Sequence, residues 1–213
     1  MNAAFSYGGP ALTIETVSAL TGVRIDHFLV ADLTSFQQIT DDLGGVRITL
    51  ADDLVVGDTV VAAGQHQLLT GAEALAFVRE REDLPRGDLD RVQRQQAWVR
   101  AMVAKVRNDG TLRNPVAAHG LLDTVTRSIA ADEGFDAGVL RGLQDLASGL
   151  GSDDIVFLTV PVSGTGTSPD GQSIVELDDA ALETLMAAVR DDTVVAHVAS
   201  DPEAYDVLPA VVR

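Results

Sequence analysis

Five arginines fall within the twenty residues Phe77 to Gln96, which read FVRERED, LPRGDLD and RVQRQQ. They are Arg79, Arg81, Arg86, Arg91 and Arg94, in a chain that has fourteen arginines, one lysine and a formal net charge of −17. A cationic cluster inside an acidic chain is a candidate anion site. The planar guanidinium fork suits it to phosphate or pyrophosphate, whose oxygens it can bind two at a time. Arg79 and Arg81 face one way only where the chain is extended, because on a helix residues two apart diverge by about 200°. The spacing therefore predicts a short helix over Gly71 to Ala76. An extended run from Phe77 to Arg81 then puts Phe77, Arg79 and Arg81 on one side.

The next element must present the remaining arginines. Asp88 reads as an N-cap, and Asp90 stands near the positive end of the dipole, which predicts a helix from Leu89 to about Arg107. At about 100° per residue, Val92, Trp98, Val99, Met102, Val103 and Val106 share one apolar arc, with Arg91 and Gln95 in its middle. Arg100 and Arg107 point to the opposite, solvated side. An unpaired buried charge costs several kcal/mol, so an inward Arg91 needs a partner. That partner is either a bound anion or one of the 32 carboxylates, in which case Arg91 only staples the helix.

Four blocks in order carry a resemblance: NAAFSYGGP at Asn2–Pro10, FQQITDDLGGVRITL at Phe36–Leu50, GQHQLLTGAEAL at Gly64–Leu75, and ALAFVRERED with GDLDRVQRQQ. Together they resemble the arginine-rich LytR-CpsA-Psr family, the cell envelope-related transcriptional attenuator domains. The resemblance implies an α/β/α sandwich with a central β-sheet flanked by helices. It also implies a phosphotransferase that moves a glycopolymer, such as teichoic acid or arabinogalactan, from a polyprenyl pyrophosphate carrier to peptidoglycan. That ligase reaction would run outside the cytoplasmic membrane, in the cell envelope, with magnesium at the pyrophosphate. By the same resemblance Arg79, Arg91 and Gln95, with Arg94 beside them, hold the pyrophosphate. Arg81 and Asp88 sit close to the reacting phosphate as the catalytic residues.

Family members carry Arg-Asp, Ser-Asp-Thr and Pro-Arg-Asp motifs on strands before the asparagine-alanine block, and here that block begins at Asn2. The expectation is an N-terminally truncated LytR-CpsA-Psr-like domain over residues 1–192, its first strands missing, with a tail over 193–213. The magnesium ligands are expected to lie outside this chain. A non-catalytic binder of polyprenyl pyrophosphate is then the alternative to the ligase, and a regulatory interaction domain is disfavoured by inward arginines without a ligand.

Composition narrows the classes further. An acidic chain of pI about 4.3 lacks the basic surface that nucleic acid requires, so none is expected as a partner, and a membrane is met only through the lipid substrate. Zero cysteines exclude disulfides and thiolate metal sites. His27, His66, His119 and His197 show no ligand-like spacing. No apolar run reaches the length of a membrane helix. The pairs Asp41–Asp42 and Asp52–Asp53 stand beside turns and read as caps rather than catalytic carboxylates.

The positioning elements follow from periodicity. Asn2 to Gly9 reads as a turn-rich entry, followed by a helix that Pro10 opens and Gly22 stops. Ile25–Ala31 reads as a buried strand, Leu33–Leu43 as a helix and Val46–Leu50 as an alternating strand, a sequence of elements that implies a right-handed crossover. A hairpin or loop is expected over Asp52–Ala63, and helices over Pro115–Ala130 and Phe135–Leu150. A strand over Ile155–Val160, a surface loop around Gly164, Gly166 and Gly171, a helix capped by Asp178 and running to Arg190, and a loosely packed tail from Val194 complete the reading.

Overall fold

The computed structural model describes residues 2–80, 84–108, 129–169 and 171–212. It divides into two units: Leu29–Ser152 with Leu208–Arg213, and Met1–Phe28 with Asp153–Val207. The class is α/β, as expected. Among the described residues the strands pair as five two-stranded antiparallel ladders.

The arginine-bearing unit begins with β1 (Leu29–Ala31) and α2 (Leu33–Asp42). Asp32 caps α2 by accepting from the Ser35 backbone N–H at 2.7 Å. The strand β2 (Val46–Leu50) turns Val46, Ile48 and Leu50 inward, the alternation that its sequence dictates. Its partner is β5 (Gly64–Leu69), a strand absent from the sequence reading, and a hairpin of β3 (Leu54–Val56) and β4 (Thr59–Val61) lies between them. The expected right-handed crossover is not formed. Strand β1 pairs with β6 (Ile129–Ala131), while β2 pairs with β5, so the two strands belong to different ladders.

Helix α3 (Gly71–Arg79) starts at a reciprocal cap, where the Thr70 hydroxyl accepts from the Glu73 N–H and the Glu73 carboxylate accepts from the Thr70 N–H. The glycine at its first position is a packing requirement. Asp41 of α2 accepts from the Gly71 N–H at 2.7 Å, and a Cβ there would run into the Gln37 carbonyl oxygen and the Asp41 carboxylate. Helix α4 (Asp88–Asn108) then packs against α3 and β2. Its Trp98 ring stacks on Phe36 of α2 with centroids 4.1 Å apart, and the indole N–H donates to the Thr40 hydroxyl at 3.1 Å. The core so closed includes Ile39, Val46, Ile48, Leu69, Phe77 and Ala97. Helix α5 (Ala137–Gly149) is capped by Asp136 and lies within the span expected for it. The helix expected over Pro115–Ala130 lies largely outside the described residues, and its last two positions belong to β6 instead.

The C-terminal stretch is not a loose tail. Val212 is 2% exposed, bridges Leu50 in parallel, donates to the Thr49 carbonyl and accepts from the Ala51 N–H. Arg100, expected in solvent, donates to the Pro209 and Ala210 carbonyls at 2.8 and 3.3 Å, and burial pulls its pKa down.

In the other unit, α1 (Asn2–Thr21) is helical on both sides of Gly9, whose φ of 60° and ψ of −154° break it into two segments; the expected turn-rich entry is helix. Residues Ile25–Phe28, read as part of a strand, are irregular, and only Leu29–Ala31 pair. The Gly164, Gly166 and Gly171 stretch is a hairpin of β8 (Val162–Thr167) and β9 (Ser173–Leu177), not a loop. Leu158–Thr159 forms the short β7, paired with β10 (Asp206–Val207). Helix α6 (Asp179–Arg190) carries the N-cap Asp178 read from sequence. With α7 (Val194–Ser200) it closes a core of Leu182, Leu185, Met186 and Val198.

Candidate functional site

Of the arginine cluster, Arg79 ends α3, Arg86 lies in the turn before α4, and Arg91 and Arg94 stand in the first two turns of α4. Helix α3 runs through Phe77 and Val78 to Arg79, so the extended run expected from Phe77 is not formed there; Phe77 and Val78 are drawn into the core, which keeps the backbone helical. Arg79 is exposed. It lines a groove of about 620 Å³ with Gln37, Val56, Ala72, Leu75, Ala76 and Glu80. Ala72, Leu75, Ala76 and Arg79 recur at helical spacing, the one signal in the sequence that could have marked this face. Arg81 lies outside the described residues.

Helix α4 begins at Asp88, one residue earlier than the sequence implies, after a turn at Gly87 with φ 57° that only glycine adopts cheaply. Its buried line is Asp90, Gln93, Arg94, Ala97 and Ala101, not the apolar arc centred on Arg91 and Gln95. Val99, placed on that arc, is 42% exposed, and Gln95 is exposed too. The wheel fails because the inward polar residues find partners outside the helix. Arg94 Nη1 donates to the Phe77 carbonyl at 3.1 Å, and its guanidinium lies 4.7 Å from the centroid of the Phe77 ring. Burial lowers the pKa of Arg94, while the carboxylates of Glu80, Asp52 and Asp90 oppose that shift.

Arg91 is half-buried. Its Nη2 lies 3.3 Å from Asp88 Oδ1, so the carboxylate staple weighed from sequence is present, with Asp88 itself 52% exposed. The staple leaves one donor unanswered: Arg91 Nε is buried and has no hydrogen-bond acceptor among the described residues. Such a donor costs about 1–3 kcal/mol until an acceptor reaches it. Of the residues singled out from sequence, Asp88 and Arg91 are in contact, and Arg94 reaches α3. Arg91, Gln95 and Asp88 do not line the groove at Arg79. Asp41 and Asp53 accept backbone N–H groups, Asp41 from Gly71 across to α3 and Asp53 from Ala63 across the β3–β4 hairpin; neither caps a helix, since Thr70 is the N-cap of α3. Among the described residues no three His, Asp or Glu side chains gather as a metal ion would require.

A family model described as the LytR_cpsA_psr family matches residues 1–191. The cell wall biosynthesis protein LcpA of Corynebacterium glutamicum is 42% identical over 169 residues, covering 78% of this chain and 32% of LcpA. The polyisoprenyl-teichoic acid–peptidoglycan teichoic acid transferase TagU of Halalkalibacterium halodurans is 28% identical over 173 residues, 76% of this chain and 56% of TagU. The chain thus spans about a third to just over half the length of these curated relatives. Among solved structures, TagV of B. subtilis superposes with a TM-score of 0.72 at 25% identity, covering 90% of this chain and 73% of TagV. TagT bound to LI-WTA gives a TM-score of 0.69 at 25% identity, covering 89% and 69%.

Proposed function

The chain belongs to the LytR-CpsA-Psr family, and from that premise we propose that it moves a cell-wall glycopolymer from a polyprenyl pyrophosphate carrier onto peptidoglycan, outside the cytoplasmic membrane. The names of its relatives support a wall-building role: a cell wall biosynthesis protein, a teichoic acid transferase, and a TagT that binds LI-WTA. Within the molecule the reading is carried by Arg91, whose buried Nε lacks an acceptor among the described residues while Asp88 holds the other side of the guanidinium. A pyrophosphate oxygen is the acceptor that this donor fits.

In the transfer, an acceptor hydroxyl oxygen attacks the phosphorus that bears the polymer. The bond from that phosphorus to the bridging oxygen breaks, polyprenyl phosphate leaves with the negative charge, and the hydroxyl proton passes to a base. Arg79, Arg91 and Gln95 are assigned to hold the pyrophosphate, the two arginines also offsetting charge that builds on the leaving phosphate. Asp88, beside Arg91, is assigned to orient that guanidinium at the reacting phosphate, with Arg81 assigned to the same centre by family resemblance. The apolar wall of Val56, Ala72, Leu75 and Ala76 next to Arg79 suits an isoprenoid chain. Magnesium would supply further charge neutralisation, but the described residues do not make a site for it, and no step is assigned to it.

Two measurements test this. Isothermal titration with inorganic pyrophosphate should show affinity falling about tenfold or more in Arg91→Ala, as expected when a charge-assisted contact is lost. Release of polyprenyl phosphate from a lipid-linked polymer, in the presence of peptidoglycan and magnesium, reads turnover. Binding without turnover would make the chain a non-catalytic polyprenyl phosphate binder. Unaltered binding in both Arg79→Ala and Arg91→Ala would end both readings.

A further inference from the structure

Asp90 and Arg94 stand one turn apart on the buried line of α4 and are 6% and 8% exposed. Interior charges persist only when paired and hydrogen-bonded, and these two reach in opposite directions along the chain. Asp90 reaches to the residues just before α4, where Oδ2 accepts from the Arg86 backbone N–H at 2.9 Å and Oδ1 from Arg86 Nε at 2.6 Å. Arg94 reaches to the end of α3. The Phe77 carbonyl is one of the last four of its helix, which have no partner within it, and Arg94 Nη1 supplies the missing donor. The Phe77 ring holds the face of the same guanidinium.

We infer that Asp90 and Arg94 act as a two-ended clamp: Arg94 fixes the end of α3 that carries Arg79 and Glu80, and Asp90 fixes the turn at Leu84–Gly87 that delivers Asp88 and Arg91. Both are positioning residues, and neither touches the ligand. This assigns Arg94 a different task from the other arginines of its cluster, because its donor and its ring-facing surface are engaged by Phe77. The ligand part of the inference rests on the anion site proposed above. The geometry also explains why a charge pair, rather than an apolar pair, occupies the interior here. Only groups with directional hydrogen bonds can hold a helix-end carbonyl on one side and a turn N–H on the other.

The test is amide hydrogen exchange on the whole chain, paired with calorimetric binding of inorganic pyrophosphate, for Asp90→Asn and Arg94→Gln. The amides of Glu80, Arg86 and Gly87 should exchange about tenfold faster, those of Ala97–Val106 should be unchanged, and pyrophosphate affinity should fall about fivefold. Arg94→Lys, which keeps a donor for the Phe77 carbonyl, should regain part of that affinity. If Asp90→Asn does not fold, Arg86→Ala removes the side-chain half of the same tie from its exposed end. Unchanged exchange at Glu80, Arg86 and Gly87, or a loss of protection spread evenly over α4, overturns the clamp. Faster exchange with unaltered pyrophosphate affinity, in a protein where Arg79→Ala does weaken binding, overturns the positioning role. If neither Arg79→Ala nor Arg91→Ala changes affinity, the anion site itself is lost, and the positioning role goes with it whatever the exchange shows.

Discussion

Among single residues, Gly71 shows how one missing carbon sets the spacing of two helices. Its N–H is received by Asp41, and the space a side chain would need is filled by the Gln37 carbonyl oxygen and the Asp41 carboxylate. Because one obstacle is backbone, a side-chain rotation cannot relieve the clash. Gly71→Ala should therefore destabilise the protein by about 2 kcal/mol, the scale of an overpacked interior, measured by urea unfolding. The same substitution should weaken pyrophosphate binding less than Arg91→Ala does, since α3 shifts as a body. Arginine chemistry was legible at this scale from spacing and charge alone. The identity of the buried arginine was not, because what separates Arg91 from Arg94 is the group each meets: Asp88 one turn back for the first, the distant carbonyl and ring of Phe77 for the second.

At the scale of elements, α4 is held by an aromatic contact as well as by its charges. Trp98 stacks on Phe36 and donates to Thr40, whose hydroxyl in turn donates to the Phe36 carbonyl at 2.9 Å. Trp98→Phe keeps a ring on Phe36 and removes only the donor, for a cost of about 1 kcal/mol. Trp98→Ala removes ring and donor together and should cost about 3 kcal/mol in the same unfolding measurement. Helices whose caps are local were readable in advance: Asp178 before α6 needs only the N–H of Ala181 three residues on. Strand partners were not. The alternation in Val46–Leu50 identifies a half-buried strand, yet nothing in it says that the partner is Gly64–Leu69 rather than Leu29–Ala31. The glycines at 164 and 166 suggested a loop, while in β8 they alternate with exposed positions opposite β9, where a lack of side chains is tolerated.

For the molecule as a whole, the division of the chain is the informative feature. The arginine-bearing unit takes its last residues from Leu208–Arg213, after the chain has built most of the other unit. Those residues are structural: Val212 is buried against Leu50, and the carbonyls of Pro209 and Ala210 receive Arg100 from α4. Removing Pro209–Arg213 should lower stability by about 3 kcal/mol, from one buried valine and the lost hydrogen bonds, and should appear as a lower melting temperature. Hydropathy gave no hint of this role. A short stretch with two prolines reads as an end that frays, and only its pairing with residues far back in the chain makes it part of the core.

That pairing of Leu50 with Val212 has a consequence during synthesis. The ribosome must pass Val212, more than 160 residues after Leu50, before the edge of β2 receives this neighbour. Until then the nascent unit exposes the Val212-facing surface and leaves the Thr49 and Ala51 main-chain groups open to water or to a wrong strand. Closing so long a loop is slow, so the vulnerable interval lasts from the synthesis of β2 until Val212 has been made and docked, and a holding chaperone at the β2 edge would protect the chain over that interval.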